Sequence, residues 1–194
     1  MKKHVSFVVP VFNEEDNLHE FHARLKAVMS QLPYDYDIIF VDDGSRDASA
    51  AILYKLSQTD EHVQAYLLSR NFGHQMALTC GLDHAEGDAV ITIDGDLQHP
   101  PELVPELVRL WESGFEIVQT VRKDTEDASY FKKMTSACYY KIINKISRVS
   151  ITPGGSDFRL MDRVAVEALK LYGERARFIR GLVNNLGFNF TTFE

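Results

Sequence analysis

Residues 89–96 read Ala89-Val90-Ile91-Thr92-Ile93-Asp94-Gly95-Asp96, an apolar run that ends in two aspartates around a glycine. The run has the length and the β-branched residues of a buried strand. Residues 101–113 then predict a helix, because proline suits the first turn of a helix and Gly114 follows its end. A buried strand followed by a helix is the repeating unit of an α/β protein.

The same alternation of strand and helix patterns runs outward from this stretch through the first two thirds of the chain. The expected strands cover residues 4–11, 37–41, 63–68, 89–93 and 116–120, and the expected helices cover residues 15–32, 48–57, 74–85 and 101–113. Residues 150–156 carry the strongest loop signal, and residues 188–194 read as a last strand. Short apolar strands separated by helices indicate an α/β fold with a mostly parallel central sheet flanked by helices.

The composition is that of an ordinary globular protein. The 194 residues are 45% hydrophobic and 25% charged, which fits one domain with a sizeable core. The formal net charge of -7 disfavours nucleic-acid binding, which uses broad basic surfaces. Cys80 and Cys138 lie far apart in apolar patterns, so we expect buried thiols and a reducing compartment. No apolar run has the length of a membrane span.

Acidic and turn-forming residues follow three of the predicted strands. Besides the two aspartates already quoted, the first strand leads into Phe12-Asn13-Glu14-Glu15 and the second into Asp42-Asp43-Gly44-Ser45. One such cluster alone is equally well explained as a turn with helix-capping residues. Ligands of parallel sheets bind beyond the carboxyl ends of the strands, so three clusters at that edge indicate a ligand site.

The pair Asp94 and Asp96 predicts a divalent cation site. If the extended geometry continues past the strand, carboxylates two residues apart point the same way. A cation removes their repulsion, and oxygen ligands suit Mg²⁺ or Mn²⁺ shared with substrate phosphates. Gln98 supplies a third candidate oxygen. His99 is either a further ligand or a structural residue, and the structural interpretation is favoured.

A nucleotide bound here would be held without a glycine-rich loop. Neither a Gly-x-x-x-x-Gly-Lys-Ser/Thr motif nor a Gly-x-Gly-x-x-Gly motif after the first strand occurs. A diphosphate would then depend on the metal and on side chains. We expect Asp42 to accept a hydrogen bond from the edge of a base and Glu14 to bind the ribose hydroxyls.

Five motifs follow one another along the chain: Val9-Pro10-Val11-Phe12-Asn13-Glu14-Glu15, Val41-Asp42-Asp43-Gly44-Ser45, Ser69-Arg70-Asn71-Phe72-Gly73, Asp94-Gly95-Asp96-Leu97-Gln98-His99-Pro100-Pro101 and Ser156-Asp157-Phe158-Arg159. Together they resemble the inverting glycosyltransferases of the GT-A fold. More narrowly, they resemble the polyprenyl-phosphate glycosyltransferases of the dolichyl-phosphate mannose synthase and bactoprenol-phosphate glucosyltransferase type. The resemblance extends from about Val5 to Gly187, and it implies a single glycosyltransferase catalytic domain over residues 1–194.

The resemblance also implies roles for individual residues. Donor binding falls to Pro10, Phe12, Glu14, Asp42 and Asp94. Asp94, Asp96 and Gln98 are expected to hold the metal and the diphosphate. Arg122 is expected near the phosphates, where it would act in catalysis with Asp96 and Asp157. Family members commonly carry a membrane-associated region after this domain, so we expect further native sequence beyond Glu194.

The acceptor side is expected in a basic amphipathic segment at about residues 129–149. Residues 131–148 contain five basic residues and no acid, with apolar residues at helical spacing. Such a helix either lies on an anionic membrane surface or packs on the sheet with a solvated basic face. Lys132 and Ser136 share one face at the spacing i and i+4 and can grip a phosphate. The resemblance assigns that phosphate to the acceptor lipid.

Asp157 is the candidate catalytic carboxylate, because the resemblance places the catalytic aspartate of the polyprenyl-phosphate subgroup at this position. A phosphomonoester is largely dianionic at pH 7 and needs little deprotonation, so Asp157 either positions the acceptor or acts as a base. A sugar hydroxyl acceptor would require a true base. Arg159 either binds the acceptor phosphate or forms a structural ion pair.

These observations combine into one leading hypothesis. A sugar passes from a nucleotide-diphosphate sugar, UDP preferred over GDP, to a polyprenyl phosphate with inversion at the cytoplasmic face of the cell membrane. The first alternative is a related glycosyltransferase that uses a saccharide hydroxyl. The others are a non-catalytic nucleotide-sugar-binding domain and a nucleotidyltransferase, which the missing glycine-rich loop disfavours. The sequence does not indicate an oligomeric state.

Overall fold

The computed structural model of the chain describes residues 2–121, 155–173 and 178–193. In chain order the elements are β1 (His4–Val11), α1 (Leu18–Met29), β2 (Asp35–Asp42), α2 (Ser49–Thr59), β3 (Val63–Leu67), α3 (His74–His84), β4 (Ala89–Thr92), a 3₁₀ turn (Pro101–Leu103), α4 (Val104–Glu112), β5 (Ile117–Val121), β6 (Gly155–Asp162), α5 (Arg163–Lys170), α6 (Ile179–Asn185) and β7 (Phe190–Phe193). Every strand and helix predicted up to residue 120 is present, and so is the predicted last strand. The expected loop at 150–156 is wrong at its end, because β6 begins at Gly155.

The seven strands form one sheet in the order β3-β2-β1-β4-β6-β5-β7. Strands β1 to β4 pair in parallel with one another, and β5 pairs in parallel with β7. Strand β6 runs antiparallel to both of its neighbours, β4 and β5. The predicted α/β class with a mostly parallel central sheet flanked by helices is confirmed, and the antiparallel strand is an addition to it.

Helices cover both faces of the sheet, and the pleat divides the core into two clusters. Phe7 and Val9 of β1 point to the face covered by α1, α2 and α4, whereas Val8 points to the face covered by α3, α5 and α6. Helix α3 packs closely against the sheet, because a Cβ at Gly81 would collide with Val8. No helix in the described ranges has the length and apolarity needed to cross a bilayer.

One cysteine can be compared with its prediction. Cys80 is a free thiol on α3, and it is only partly buried. Its packing is therefore looser than the sequence pattern indicated. Cys138 lies outside the described residues.

The register of the strands brings the acidic clusters together at one edge of the sheet. Val11 pairs with Asp42, so β1 and β2 end side by side. Thr92 at the end of β4 pairs with Arg159, and the start of β6 therefore lies at the same edge. The carboxyl edge, defined as the ends of β1, β2 and β4 with the start of β6, is where ligands bind in open α/β sheets.

Candidate active site

A cavity of about 380 Å³ opens at the carboxyl edge. It is lined by the end of β1, by residues that follow β1, β2 and β4, and by the start of α3 with the loop before it. These residues are Pro10, Val11, Phe12, Glu14, Asp43, Asn71, Gly73, His74, Ala77, Asp94, Gly95 and Asp96. Five of the predicted site residues are among them: Pro10, Phe12, Glu14, Asp94 and Asp96. The structure therefore brings together the ends of three strands as the sequence indicated.

The loop that follows β2 fixes the wall formed by the start of α3. The Asp43 carboxylate accepts hydrogen bonds from the backbone N–H groups of Phe72 at 2.7 Å and Gly73 at 2.8 Å. Gly44 has φ +69°, and a Cβ there would collide with the backbone of Arg70 and Asn71. Only glycine therefore allows the two loops to approach so closely.

The loop after β1 is tied to the same turn and carries backbone strain. Asn13 has φ +56°, a left-handed conformation that costs a non-glycine residue energy. Its backbone N–H donates to Ser45 Oγ at 2.9 Å, and its side-chain oxygen accepts from the Arg46 N–H at 2.8 Å. Glu14 is held beside the cavity by a bond from its N–H to Ser49 Oγ at 2.9 Å.

Asp42 is buried next to this wall with one oxygen unsatisfied. Its side chain accepts from the Ser45 N–H at 3.1 Å through Oδ2, whereas Oδ1 has no hydrogen-bond partner among the described residues. A buried acceptor without a partner is uncommon and favours a ligand or water donor. Asp43 lines the cavity in place of Asp42. The expected bond from Asp42 to a base edge stays a prediction.

Asp94 and Asp96 reach the cavity by a different geometry from the one the sequence suggested. Strand β4 ends at Thr92, residues 95 and 96 form a turn, and Leu97 has φ +60°. Both carboxylates nevertheless line the same cavity. Burial raises the pKa of Asp94, and the negative charges of Asp157 and Asp96 add to the rise. A bound cation would relieve this penalty.

The two carboxylates fit a hard cation that takes its remaining ligands from a substrate and from water. In the described part of the chain, no group of three or more His, Cys, Asp and Glu residues is arranged to hold a metal. Mg²⁺ commonly uses one or two carboxylates and takes its other ligands from phosphates and water. Gln98 is exposed, and its backbone N–H donates to Asp96 Oδ1 at 3.0 Å. Its role as a third ligand stays a prediction.

His99 makes contacts that fit the structural interpretation, which stays a prediction. Its ring is buried, its Nε2 lies 2.8 Å from Ser156 Oγ, and its centroid lies 5.6 Å from the Phe158 ring. The same Ser156 Oγ accepts from the Phe158 N–H at 3.0 Å. His99 thus joins the loop after β4 to the start of β6.

Asp157 lies at the start of β6 among three positively charged or protonatable side chains. Its Oδ1 accepts from Arg159 Nη2 at 2.7 Å and from Arg180 Nε at 3.0 Å. Its Oδ2 accepts from Arg180 Nη2 at 2.8 Å and lies 3.3 Å from His74 Nε2. His74 Nε2 also lies 3.6 Å from Asp94 Oδ1, so this network reaches the cavity.

The network changes the pKa of Asp157 and His74, and burial changes that of Arg159. Burial alone would raise the pKa of Asp157, but the bonds from His74 and Arg180 and the charge of Arg159 hold it well below its usual range. The hydrogen bond to Asp157 raises the pKa of His74. Burial lowers the pKa of Arg159 to about 10, so its guanidinium stays charged at neutral pH. Arg159 therefore forms the ion pair, and its contact with an acceptor phosphate stays a prediction.

Sequence reasoning missed three residues of the site and named three that cannot be placed. His74 follows the motif at 69–73 directly, and that position is the signal that could have found it. Asp43 was noted only as part of an acidic cluster. Arg180 has no sequence signal, because nothing in its surroundings relates it to Asp157. Three predicted site residues lie outside the described residues: Arg122, Lys132 and Ser136.

Known proteins share this sequence over most of its length. The family model described as Glycosyl transferase family 2 matches residues 6–170. The uncharacterized glycosyltransferase YkcC of Bacillus subtilis (strain 168) is 44% identical over 196 aligned residues, which cover 100% of this chain and 61% of that protein. The bactoprenol glucosyl transferase of Shigella phage SfV is 42% identical over 183 residues, covering 94% of this chain and 60% of that protein. The chain thus spans about three fifths of the length of these relatives.

Solved structures share the fold at low identity. The mannosyltransferase PcManGT from Pyrobaculum calidifontis, in complex with GDP-Man and Mn²⁺, aligns with a TM-score of 0.65 and 17% identity over 100% of this chain and 55% of that one. Glucosyl-3-phosphoglycerate synthase from Mycobacterium tuberculosis, in complex with Mn²⁺, UDP and glucosyl-3-phosphoglycerate, aligns with a TM-score of 0.57 and 19% identity over 86% and 58% of the two chains. Both are glycosyltransferases, and the predicted GT-A fold is confirmed.

Proposed function

The chain belongs to glycosyl transferase family 2, and we propose that it transfers a sugar from a nucleotide-diphosphate sugar to a polyprenyl phosphate, with inversion and with Mg²⁺ or Mn²⁺. The observation that carries this proposal is the convergence of Asp94 and Asp96 on one cavity at the carboxyl edge. Residues 1–194 form the glycosyltransferase domain of this proposal, which acts at the cytoplasmic face of the membrane.

The order of residues along the carboxyl edge supports a nucleotide-sugar donor. Phe12 and Glu14 line the side of the cavity at β1. They lie next to the buried Asp42 Oδ1, which accepts no hydrogen bond from residues 2–121, 155–173 and 178–193. An imide N–H of uracil or guanine matches that acceptor. Asp94 and Asp96 lie after β4, one strand further along, where a diphosphate would follow the nucleoside. We propose UDP before GDP, which is the order that the resemblance of the sequence motifs implied.

The proposed reaction is a single displacement at the anomeric carbon of the sugar. An acceptor phosphate oxygen forms the new bond from the face opposite the nucleoside diphosphate, which leaves with the bonding electrons. The divalent ion, when bound, stabilises the charge that grows on that leaving group. Asp94 and Asp96 hold that ion, with Gln98 as the further proposed ligand, and Arg122 adds positive charge. Glu14 orients the ribose.

A phosphate acceptor suits the charge state of Asp157 better than a hydroxyl acceptor does. A sugar hydroxyl needs a base that can accept its proton, and a carboxylate with a strongly lowered pKa is a poor base. A phosphomonoester is already ionised at neutral pH. Lys132 and Ser136 are proposed to bind the same phosphate, within a membrane-facing segment at about 129–149.

Thermal stability in the presence of nucleotide sugars tests the donor assignment. UDP-glucose, UDP-GlcNAc and GDP-mannose are compared, each with Mn²⁺ and with EDTA. A donor at about 100 times its Kd adds roughly 2.7 kcal/mol, which raises the Tm by about 5 °C or more. We expect a UDP-sugar to do so with Mn²⁺ and to lose most of the effect in EDTA. If no nucleotide sugar stabilises the protein with Mn²⁺, the proposal is wrong. Stabilisation by GDP-mannose alone would change the proposed nucleobase from uracil to guanine.

Transfer to a lipid tests the acceptor assignment. The full-length protein in detergent is supplied with the donor found above and with undecaprenyl phosphate. We expect a sugar–lipid phosphodiester and release of the nucleoside diphosphate in equal amounts. A saccharide that competes as the better acceptor would support the hydroxyl-acceptor alternative. Donor binding without any product would support a non-catalytic domain.

A further inference from the structure

The buried carboxylate of Asp157 holds the partly exposed guanidinium of Arg180 in a fixed orientation. Arg180 donates through Nε at 3.0 Å and through Nη2 at 2.8 Å to the two oxygens of Asp157. The Arg180 side chain is 45% exposed, whereas the Asp157 side chain is only 4% exposed. A two-point contact of this kind fixes direction as well as distance. Asp157 therefore presents a positive group toward solvent beside the cavity.

The contacts of Asp157 leave little room for it to act on a substrate. A carboxylate has about four lone-pair sites. Asp157 uses one for Arg159, two for Arg180 and one toward His74. A general base must come within hydrogen-bond distance of the proton that it takes, about 2.6–3.2 Å. These occupied positions argue that Asp157 holds its neighbours in place.

The position of Arg180 suits the second substrate. Along the carboxyl edge the order of strands is β2, β1, β4 and β6. The proposed nucleoside side lies at β2 and β1, and the proposed diphosphate side lies at β4. Arg180 contacts the start of β6, which is the next position and the one furthest from Asp42. An acceptor that attacks opposite the leaving diphosphate reaches the sugar from a side other than the nucleoside side.

The charge at this position also suits an anion. Arg159 is buried and pairs with Asp157, and that ion pair is neutral as a unit. Arg180 and His74 contact the same carboxylate from outside that pair, so two positively charged or protonatable groups lie around it. A charged guanidinium and a phosphate form strong paired hydrogen bonds.

We propose that Arg180 binds the phosphate of the acceptor and that Asp157 is a positioning residue that holds Arg180 for this contact. The inference rests on the proposed function, because it takes the acceptor to be a phosphate. It assigns to Asp157 no proton transfer. The sequence suggested Lys132, Ser136 and Arg159 for that phosphate, which stays a prediction, and the inference rests on Arg180 alone.

The kinetics of Arg180→Gln test the contact directly. Initial rates of the full-length protein are measured with undecaprenyl phosphate varied at saturating donor, and then with donor varied. Loss of a hydrogen bond to a charged group is expected to raise the acceptor KM about 10- to 100-fold, and the donor KM should stay within about twofold. Arg109→Gln is the matched control, because Arg109 is an exposed arginine paired with a carboxylate on α4. It should change neither constant.

Asp157→Asn separates positioning from proton transfer. If Asp157 acts through Arg180, this variant raises the acceptor KM as Arg180→Gln does, and the double variant is no worse than the more affected single one. A base would behave differently: kcat would fall about 100-fold or more at unchanged acceptor KM, and Arg180→Gln would be nearly silent. That result would overturn the inference. If Asp157→Asn fails to fold, Arg180→Gln still decides, since it leaves the Arg159–Asp157 pair intact.

A binding measurement distinguishes failure of this inference from failure of the proposed function. Titration calorimetry measures farnesyl phosphate binding to protein loaded with nucleoside diphosphate and Mn²⁺. If the wild type makes no glycolipid but binds farnesyl phosphate through Arg180, the proposed transfer is wrong and the inference stands. If Arg180→Gln raises the donor KM and leaves farnesyl phosphate binding unchanged, Arg180 serves the donor diphosphate and the inference is wrong. Absence of farnesyl phosphate binding in the wild type contradicts both.

Discussion

Two cavities of similar size open at opposite edges of the same sheet. The carboxyl-edge cavity measures about 380 Å³ and contains Asp94 and Asp96. The other, of about 400 Å³, lies at the amino edge, where β1, β2 and β3 begin and α3 ends. It is also rich in polar groups, and its lining residues are His4, Asp37, Gln64, Tyr66, Asp83, His84 and Glu86. Size and polarity alone therefore do not distinguish them.

The difference lies in how the polar groups are satisfied. At the amino edge Asp37 accepts from Ser6 Oγ at 2.7 Å and Gln64 Nε2 at 3.2 Å and lies 2.6 Å from His4 Nε2. At the carboxyl edge Asp42 Oδ1 has no hydrogen-bond partner in the part of the chain that the structure describes. Within the described ranges, the non-glycine residues with left-handed backbone are Asn13 and Leu97, and both belong to the carboxyl edge. Backbone strain persists where function maintains it, and it marks the functional edge.

The same change made in each cavity gives the largest expected contrast. Asp96→Asn removes a proposed metal ligand, and we expect turnover to fall by about 1,000-fold, which is the scale of losing a main stabiliser of transition-state charge. Asp37→Asn replaces a carboxylate whose partners are all within the protein. It should reduce the free energy of unfolding by about 1–2 kcal/mol and leave turnover within about twofold. Steady-state rates with Mn²⁺ and urea unfolding measure the two effects.

The Tm of Asp96→Asn without ligand serves as the control. It should match that of the wild type, since asparagine keeps the size of the side chain and its Oδ1 can still accept from the Gln98 N–H. Wild-type turnover in Asp96→Asn would remove the metal assignment. A large loss of turnover in Asp37→Asn would show that the amino-edge cavity also takes part in the reaction.

Alanine substitutions at two glycines, one at each edge, distinguish the cost of a collision between loops from the cost of backbone strain alone. Gly44 at the carboxyl edge has both a left-handed φ and a neighbouring backbone, whereas Gly114, before β5 at the amino edge, has φ +104° and open space around it. Gly44→Ala should cost about 3 kcal/mol of unfolding free energy and weaken donor binding about tenfold, because the loop at Asn71 must move. Gly114→Ala should cost only about 1–2 kcal/mol. Equal losses in urea unfolding would contradict the proposed loop contact.

Buried carboxylates with a lowered pKa occur at both edges, and they are expected to do different work. Asp60 at the amino edge contacts Lys26 at 2.6 Å, His22 at 3.0 Å and His62 at 2.9 Å. Burial alone would raise the pKa of Asp60, but the hydrogen bonds from Lys26 and His62 hold it well below its usual range. A lowered pKa in the folded state stabilises the protein above the unfolded pKa, about 3.9, and this stability is lost as the pH falls toward the folded pKa.

Asp60→Asn should therefore remove about 2 kcal/mol at pH 7 and progressively less below about pH 4. Urea unfolding of wild type and variant at pH 7, 5, 4 and 3 measures the difference. The acceptor KM at pH 7 should stay unchanged, unlike that of Asp157→Asn. A difference in stability that is constant from pH 7 to pH 3 would mean that ionisation of Asp60 contributes nothing.

The sequence predicts the parts of this molecule that follow from local pattern. Strands β1 to β5 are short apolar runs between helical stretches, and the parallel sheet then places the residues after Val11, Val41 and Ile93 at one edge. The local pattern does not predict the burial of β6. Asp157 and Arg159 alternate with Phe158 and Leu160, which is the pattern of a half-exposed strand. In the structure all four are buried. The burial of Asp157 and Arg159 depends on their ion pair and on a second arginine, Arg180, which contacts Asp157 from a distant helix. No local pattern encodes that contact.

The smallest expected effect is the loss of an exposed ion pair, which we compare with loss of the buried one. Glu167 on α5 lies 2.9 Å from Arg163 Nη1 and 3.3 Å from Lys170 Nζ, with 56% of its side chain exposed. Because water and salt screen exposed pairs, Glu167→Gln should lower the free energy of unfolding by about 0.5 kcal/mol or less, and the loss should vanish in 1 M NaCl. Arg159 by contrast is almost fully buried beside Asp157, so Asp157→Asn leaves a charge without its partner and should cost about 3 kcal/mol at any salt concentration. Urea unfolding at 0.05 M and 1 M NaCl measures both variants, and a similar salt dependence in the two would mean that water reaches the Arg159–Asp157 pair.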